Sequence, residues 1–308
     1  VKVTALAGGT GAARFLRGLA AEMDPARLTV VGNTGDDTEV WGLHVSPDLD
    51  TVCYTLAGLV EDRRGWGLRD ETFHALEQIG RYGEPTWFSL GDRDLATHLH
   101  RSRRLRQGEG LAAVTAALAR ALGVAAAVLP MSEQPVRTRI LGPEGWLAFQ
   151  EYFVRDKAQV EVRAVEYAGA AAARPAPGVL EAIAGADLVV VCPSNPVTSI
   201  GPILAVPGIG AALAATRARV VAVSPIVGGA PVSGPAGRLM AAAGLPVSAA
   251  GVARAYAPWL DLLLVDERDR AEAAAVRAEG AEALVTDILM GDRARERALA
   301  ARVLAALA

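Results

Sequence analysis

The stretch "NTGDDTEVWGLHVSPDLDT", residues 33–51, puts four aspartates within fifteen positions: Asp36, Asp37, Asp48 and Asp50. Crowded carboxylates repel and raise one another's proton affinity unless a cation sits among them. Magnesium is such a cation, since it takes one or two carboxylates and completes its shell with phosphate oxygens and water. Upstream lies "AGGTGAAR", where Gly8, Gly9 and Gly11 free the backbone for positive φ and for close approach of a ligand. A helix starting there turns unpaired N–H groups and its positive dipole end toward the gap, which suits a phosphate. An acid-held metal beside a glycine-held phosphate is an arrangement for phosphoryl chemistry. Each acid also has a plain structural alternative. Asp50 could cap a helix beginning near Thr51, Asp48 could form an Asx turn after Pro47, and Asp36 and Asp37 could be solvated.

The glycine turn does not match either common nucleotide motif. Arg14 stands where the dinucleotide fingerprint wants Gly or Ala, and the Walker lysine is missing. An acid near the end of the second strand, Asp36, still leaves a nicotinamide dinucleotide as one alternative. Further along, "SLGDRDLATHLHR" opens a helix near Asp92, with Arg93 in its first turn and Asp94 and His98 as i, i+4 neighbours. Arg93 there is able to reach a phosphate or a polar ring. Two later loops are long and rich in Gly, Pro and hydroxyls. "CPSNPVTSIGP" carries Ser194 and Asn195, and "SPIVGGAPVSGP" carries Ser224, Gly228 and Gly229. Helix capping accounts for one serine in each loop but not for the length of either.

These residues need a scaffold that brings them together. "VKVTALA", "LTVVGN", "DLVVVC", "ARVVAVS", "LDLLLVD" and "ALVTDIL" are near-continuous apolar runs, most of them separated by helical patterns. Such strands belong to a parallel sheet covered on both faces. The expected fold is α/β, a doubly wound, mostly parallel, Rossmann-like sheet. Residues 1–50 and 178–308 form its core, and 51–177 form a mostly helical insertion, with short strands expected at "TWFSL", "AAAVLP" and "VRTRIL". In such sheets ligands bind beyond the carboxyl ends of the strands, where the strand order reverses. Every motif above falls at an expected strand end.

Bulk composition excludes several classes. The chain has 308 residues, 52% hydrophobic and 21% charged, which is globular composition. A net charge of −3 gives no electrostatic reason to bind nucleic acid. No apolar run reaches the roughly 18 residues of a membrane span. Glycines follow the first seven residues, leaving no room in this stretch for a signal-peptide core. Two distant cysteines, Cys53 and Cys192, favour a reducing cytoplasm over a disulfide framework or a zinc site.

Together, "GGTGAARFLRGL", "NTGDD", "SPDLDT", "GWGLRDETF", "LGDRDLATH", "LPMSEQPVRT", "PSNPVTSIGPIL", "VAVSPIVGGAPVSGPAGRLM" and "DERDRAE" resemble the 2-phospho-L-lactate transferase family, whose actinobacterial members are phosphoenolpyruvate transferases. One departure is Glu133, where the family pattern leads us to expect Asp. The resemblance implies transfer of a phospho-acid from its guanosine diphosphate ester to the ribityl hydroxyl of 7,8-didemethyl-8-hydroxy-5-deazariboflavin. GMP is released, in the biosynthesis of coenzyme F-420. It implies Mg²⁺ held by Asp37 and Asp50, these two also being the catalytic pair. Asp50, Arg93, Ser89 and His98 would face the deazaflavin. Gly9, Thr10, Gly11, Ser194, Asn195, Ser224, Gly228 and Gly229 would face the nucleotide and phosphates. The partners implied are small molecules, with no nucleic acid and no membrane; a homodimer is expected from the family alone. Two rivals remain at this stage: a nucleotide-sugar-binding regulator similar to the gluconeogenesis-factor family, and an NAD-dependent oxidoreductase. The regulator would need neither "SPDLDT" nor "GDRD"; the oxidoreductase would need a catalytic base that these motifs do not supply.

Overall fold

A computed structural model describes residues 1–307. Seven parallel strands form the central sheet: β1 (Val3–Ala7), β2 (Leu28–Gly32), β3 (Ala127–Pro130), β4 (Leu188–Val191), β5 (Arg219–Val223), β6 (Leu262–Val265) and β7 (Glu282–Val285). Their spatial order is β3-β2-β1-β4-β5-β6-β7. Val3 of β1 is flanked by Leu28 of β2 and Leu188 of β4, so the order reverses between β1 and β4. The alternation of side chains explains the unbroken apolar runs. Val3, Ala5, Val30, Val190 and Leu264 pack into one core, and Leu6, Val31, Val189, Val191 and Leu263 pack into another on the opposite face.

Helix α1 (Gly9–Glu22) follows β1 and buries Phe15, Leu16 and Leu19 against the first core. The C-terminal helix Arg293–Leu304 packs on it so closely that a Cβ at Gly18 would stand 2.3 Å from the Glu296 carbonyl. Helix α2 (Pro47–Leu56) starts four residues earlier than expected. Pro47 takes the first helical position, where its missing N–H costs nothing, and Ser46 precedes it. Asp48 and Asp50 therefore both lie in the first turn, and Asp50 is not a cap.

The segment 51–177 is less uniformly helical than expected. It supplies helices His74–Arg81, α3 (Asp92–Arg106) and Leu111–Ala121. It also supplies the edge strand β3 and an antiparallel sheet of Arg137–Gly142 between Gly145–Ala148 and Ala164–Ala168. The core sheet thus draws on all three parts of the chain, and the boundary at residue 51 cuts through α2. The strand expected at "TWFSL" is irregular. Phe88 and Leu90 instead pack on the hairpin Thr38–Val40/Leu43–Val45, satisfying their apolar character without a ladder. Among the described residues no single helix is long and apolar enough to cross a membrane. A bent pair, Pro196–Ala205 with Ile209–Ala215, is long and apolar enough when taken together, but its Ile203, Ile209 and Leu213 are core residues. Cys53 and Cys192 are buried and unpaired.

Candidate active site

A cleft of about 570 Å³ opens where β1 and β4 part, at the carboxyl ends of the strands. Its floor is the glycine turn. Gly9 has φ +77, and a Cβ on Gly11 would lie 2.7 Å from the Pro193 carbonyl, so both positions require glycine. The turn is held from across the reversal by Ser194, whose Oγ donates to the Gly8 carbonyl at 2.8 Å. Asn33, at the end of β2, closes the same corner. Its Nδ2 donates to Asp48 Oδ2 at 2.9 Å and to the Thr198 carbonyl at 3.2 Å, while its Oδ1 accepts from Gly35 N–H.

The four aspartates divide. Adjacent residues outside a helix send side chains to opposite sides, and i, i+2 residues on a helix point roughly 200° apart. Asp36 and Asp48 line the cleft beside the glycine turn. Burial pushes the Asp36 carboxyl well above the usual range, with the charge of Asp48 adding to it, and Asp36 Oδ1 is buried without a hydrogen-bond partner. Burial likewise raises Asp48 to about 6, against hydrogen bonds from Asn33 and the Gly9 backbone. No cation among the protein side chains neutralises this pair within 4.0 Å among the described residues.

Asp37 faces the other way. It lines a separate cavity of about 250 Å³, and its Oδ2 accepts from the Ser46 hydroxyl and lies 2.9 Å from His44 Nε2. Asp50 lines the main cleft but is gripped by the fully buried Arg101, through Nη2 on Oδ1 and through Nη1 on Oδ2 at 3.0 Å. A chain of polar groups continues from there. His98 Nδ1 lies 3.7 Å from Asp50 Oδ2, and His98 Nε2 lies 3.2 Å from Asp94 Oδ1. The Tyr54 hydroxyl donates to Asp94 Oδ1 at 2.7 Å and sits 2.8 Å from Thr97 Oγ1. Burial alone would raise Asp94, but hydrogen bonding and charge from His98, with the Tyr54 hydroxyl, hold it below the usual carboxylate value.

Part of the cleft lining is apolar. Phe149 and Phe153 stack at 5.5 Å with an interplanar angle of 7°, and Phe88 and Trp66 face the same space. A stacked pair with one exposed ring offers a planar face to an aromatic ligand.

A model of the family described as 2-phospho-L-lactate transferase CofD matches residues 3–306. The chain belongs to that family. It is a transferase enzyme, as the names of its relatives state. A phosphoenolpyruvate transferase of Kitasatospora aureofaciens is 51% identical over 299 residues, covering 95% of this chain and 93% of its own length. A 2-phospho-L-lactate transferase of Methanosarcina mazei is 43% identical over 293 residues, covering 95% and 96%. A crystal structure of a upf0052 family protein from Bacillus halodurans superposes with a TM-score of 0.66 at 19% identity, covering 98% of each chain; that likeness shows the fold.

Within this CofD-family site, Gly9, Thr10, Gly11, Asp50, Ser89, His98, Ser194, Asn195 and Ser224 all line the main cleft. Asn195 also caps the segment after β4, its Oδ1 accepting from Val197 N–H at 2.9 Å. Four expected residues lie elsewhere. Asp37 is turned to the smaller cavity, as described. Arg93 is outside the lining: its Nη1 donates to the Arg69 carbonyl at 2.9 Å, because Glu71 caps the start of α3 and draws the two strands of loop together. Gly228 and Gly229 form a positive-φ nest, but Asp269 already fills it, accepting their N–H groups at 2.7 and 2.8 Å. Residue types alone underweighted Asp36, Asp48, Tyr54 and Asp94, and gave no sign of Phe149 and Phe153. Glu133, the departure from the family pattern, caps the helix Leu111–Ala121 with both carboxylate oxygens, at 2.5 and 3.1 Å from the first two N–H groups.

Proposed function

We propose that this enzyme transfers a phospho-acid, phospholactate or phosphoenolpyruvate, from its guanosine diphosphate ester to the ribityl hydroxyl of 7,8-didemethyl-8-hydroxy-5-deazariboflavin, releasing GMP, in coenzyme F-420 biosynthesis. The observation that carries this reading is the pairing of an uncompensated acid pair, Asp36 and Asp48, with a glycine turn and helix N-terminus in one cleft. The stacked phenylalanines suit a planar tricyclic acceptor, and Asp50, His98 and Asp94 supply polar groups in the same cleft.

The residues fit a magnesium ion. Burial, with the charge of Asp48, raises the proton affinity of Asp36, burial also raises that of Asp48, and Asp36 Oδ1 has no partner. Among the described residues no cluster of three or more His, Cys, Asp or Glu could hold a metal. Mg²⁺ does not need one, since substrate phosphates and water complete its shell. Asp36 and Asp48 would therefore hold it, in place of the expected Asp37 and Asp50: Arg101 takes both oxygens of Asp50, and Asp37, although its Oδ1 is also without a partner, lines the smaller cavity with its Oδ2 on His44 and Ser46. When bound, the ion neutralises charge on the diphosphate oxygens.

The protein's own part is alignment. The Gly9–Gly11 backbone and the α1 N-terminus bind phosphate oxygens. Asp50, fixed by Arg101 and backed by His98, orients the ribityl hydroxyl as an acceptor of its hydrogen bond. As the hydroxyl oxygen bonds to phosphorus, the bond to the GMP oxygen breaks, and the hydroxyl proton passes toward the Asp50 carboxylate or to water. Positioning and charge compensation, more than a strong base, set the rate. The buried free cysteines suit the reducing cytoplasm expected from the sequence. The test is a mass-spectrometric assay with the deazariboflavin, Mg²⁺ and each candidate guanosine diphospho-acid in turn. A product heavier than the acceptor by the phospho-acid, together with GMP, is expected. No product from the lactyl, enolpyruvyl or glyceryl donor would refute the reaction.

A further inference from the structure

We infer that Arg14 and Arg64 form a two-arginine clamp for the carboxylate of the transferred acid, one arm on α1 and the other on a strap over the glycine turn. The inference rests on the donor class proposed above. Phosphoenolpyruvate and phospholactate, the moieties in the names of its relatives, both carry a carboxylate beside the phosphoester. A donor of this kind brings that charge into the cleft in addition to its diphosphate. The acid pair with its cation, and the glycine N–H groups, answer the diphosphate only.

The remaining cations near the cleft can be sorted by partner. Arg101 is bound to Asp50, and His98 stands between Asp50 and Asp94. Arg17 pairs with Glu296 and Asp62, and Arg293 also pairs with Asp62. Arg14 and Arg64 line the cleft and have no carboxylate within 4.0 Å among the described residues. Arg64 Nη2 donates to the Leu68 carbonyl at 3.4 Å, and a guanidinium without an acidic partner presents a planar fork matched to a carboxylate.

The geometry brings the two arms to one place. The strap runs from Val60 to Leu68, closed by an antiparallel bridge between those residues and by Glu61 N–H on the Gly67 carbonyl. Its tip presses Gly65 onto Thr10, where an added Cβ would meet the Thr10 side chain at 3.4 Å. Thr10 and Arg14 are i, i+4 on α1 and share a face, so Arg14 emerges beside the strap. Arg64 is fixed in its turn by aromatic rings, its guanidinium 5.0 Å from the centroid of Trp66 and 5.6 Å from that of Phe73. Arg14 is also the residue that breaks the dinucleotide fingerprint, and a carboxylate ligand gives that departure a purpose.

The experiment measures binding by calorimetry, without acceptor and with Mg²⁺, of three ligands: GDP, the guanosine diphosphate ester of lactate, and the same ester with its carboxylate replaced by a carboxamide. The wild type should prefer the carboxylate over the carboxamide by about tenfold or more. Arg14→Gln and Arg64→Gln should each bring that ratio toward one while leaving GDP and carboxamide affinities within about twofold. Arg63→Gln, on the same strap but outside the cleft lining, should change nothing. Equal loss on all three ligands would mean that the arginines hold the diphosphate, and would overturn the clamp. So would an unchanged ratio in both variants, or no preference in the wild type. Because the acceptor is absent, a failed transferase assay leaves this result readable: a clamp without turnover would sink the reaction, and turnover without a carboxylate preference would sink the clamp.

Discussion

The two carboxylate stations of the cleft solve the same electrostatic problem in different ways. At one, Asp50 and Asp94 are buried with built-in counter-charges and donors: Arg101, His98 and the Tyr54 hydroxyl. At the other, Asp36 and Asp48 are buried with neutral partners only, and both are pushed up toward protonation. The first station is complete in the folded chain; in the proposed reading the second would be completed by a cation from solution. In that reading the difference separates a fixed wall, which would orient an acceptor, from a receptor for metal and phosphate.

The largest expected effect breaks the first station. Arg101→Ala leaves Asp50 buried without its partner and should cost about 3–5 kcal/mol of stability, measured by urea unfolding. A loss under about 1 kcal/mol would show that Arg101 does not neutralise Asp50. Next, Asp36→Asn and Asp48→Asn should each lower turnover by ~10²–10³ with the circular dichroism spectrum unchanged. Asp37→Asn should cost less than about tenfold, and equal losses at Asp37 and Asp48 would erase the distinction between the faces of that loop. The smallest effect sharpens the comparison through pH. Asp48 titrates near 6 in the folded chain, above its ordinary value, so the folded chain binds this proton more tightly than the unfolded one. Stability from this group is therefore full below the unfolded value and is lost as pH rises through about 6. In chelator, Asp48→Asn should raise Tm by a few degrees at pH 8 and by little at pH 4. Added Mg²⁺ should raise the wild type at pH 8 more than the variant. A metal response that is equal in both would remove Asp48 from the ion.

The sheet was legible because its strands are doubly buried: runs such as Leu188–Val191 have no solvent face to disguise. The edge strand β3 was readable as a strand but not as part of the core, since only its pairing with β2 assigns it there. That the acid cluster gathers at the cleft was legible, but which of its members line it was not. Which member of Asp36–Asp37 faces the cleft depends on loop direction, and the start of α2 depends on Pro47 overriding the cap that Asp50 seemed to offer. Gly228–Gly229 misled for a different reason. Its anion partner, Asp269, is forty residues away in sequence, and no local pattern announces that the nest is filled. Phe149 and Phe153 carry no chemistry by type; they matter through the Gln150–Asp36 contact that draws their segment over the cleft.

The packing of Arg293–Leu304 onto α1 ties the last part of the chain to the first. Leu299, Ala300 and Val303 share a core with Phe15 and Leu19, and Gly18 leaves no room for a gap between the helices. During synthesis α1 must therefore wait, part of its apolar stripe uncovered, until residues nearly three hundred positions later have been made. The glycine turn at the start of α1 gains its final support only then, and a chain lacking Arg293–Leu304 would present that bare stripe to chaperones and proteases.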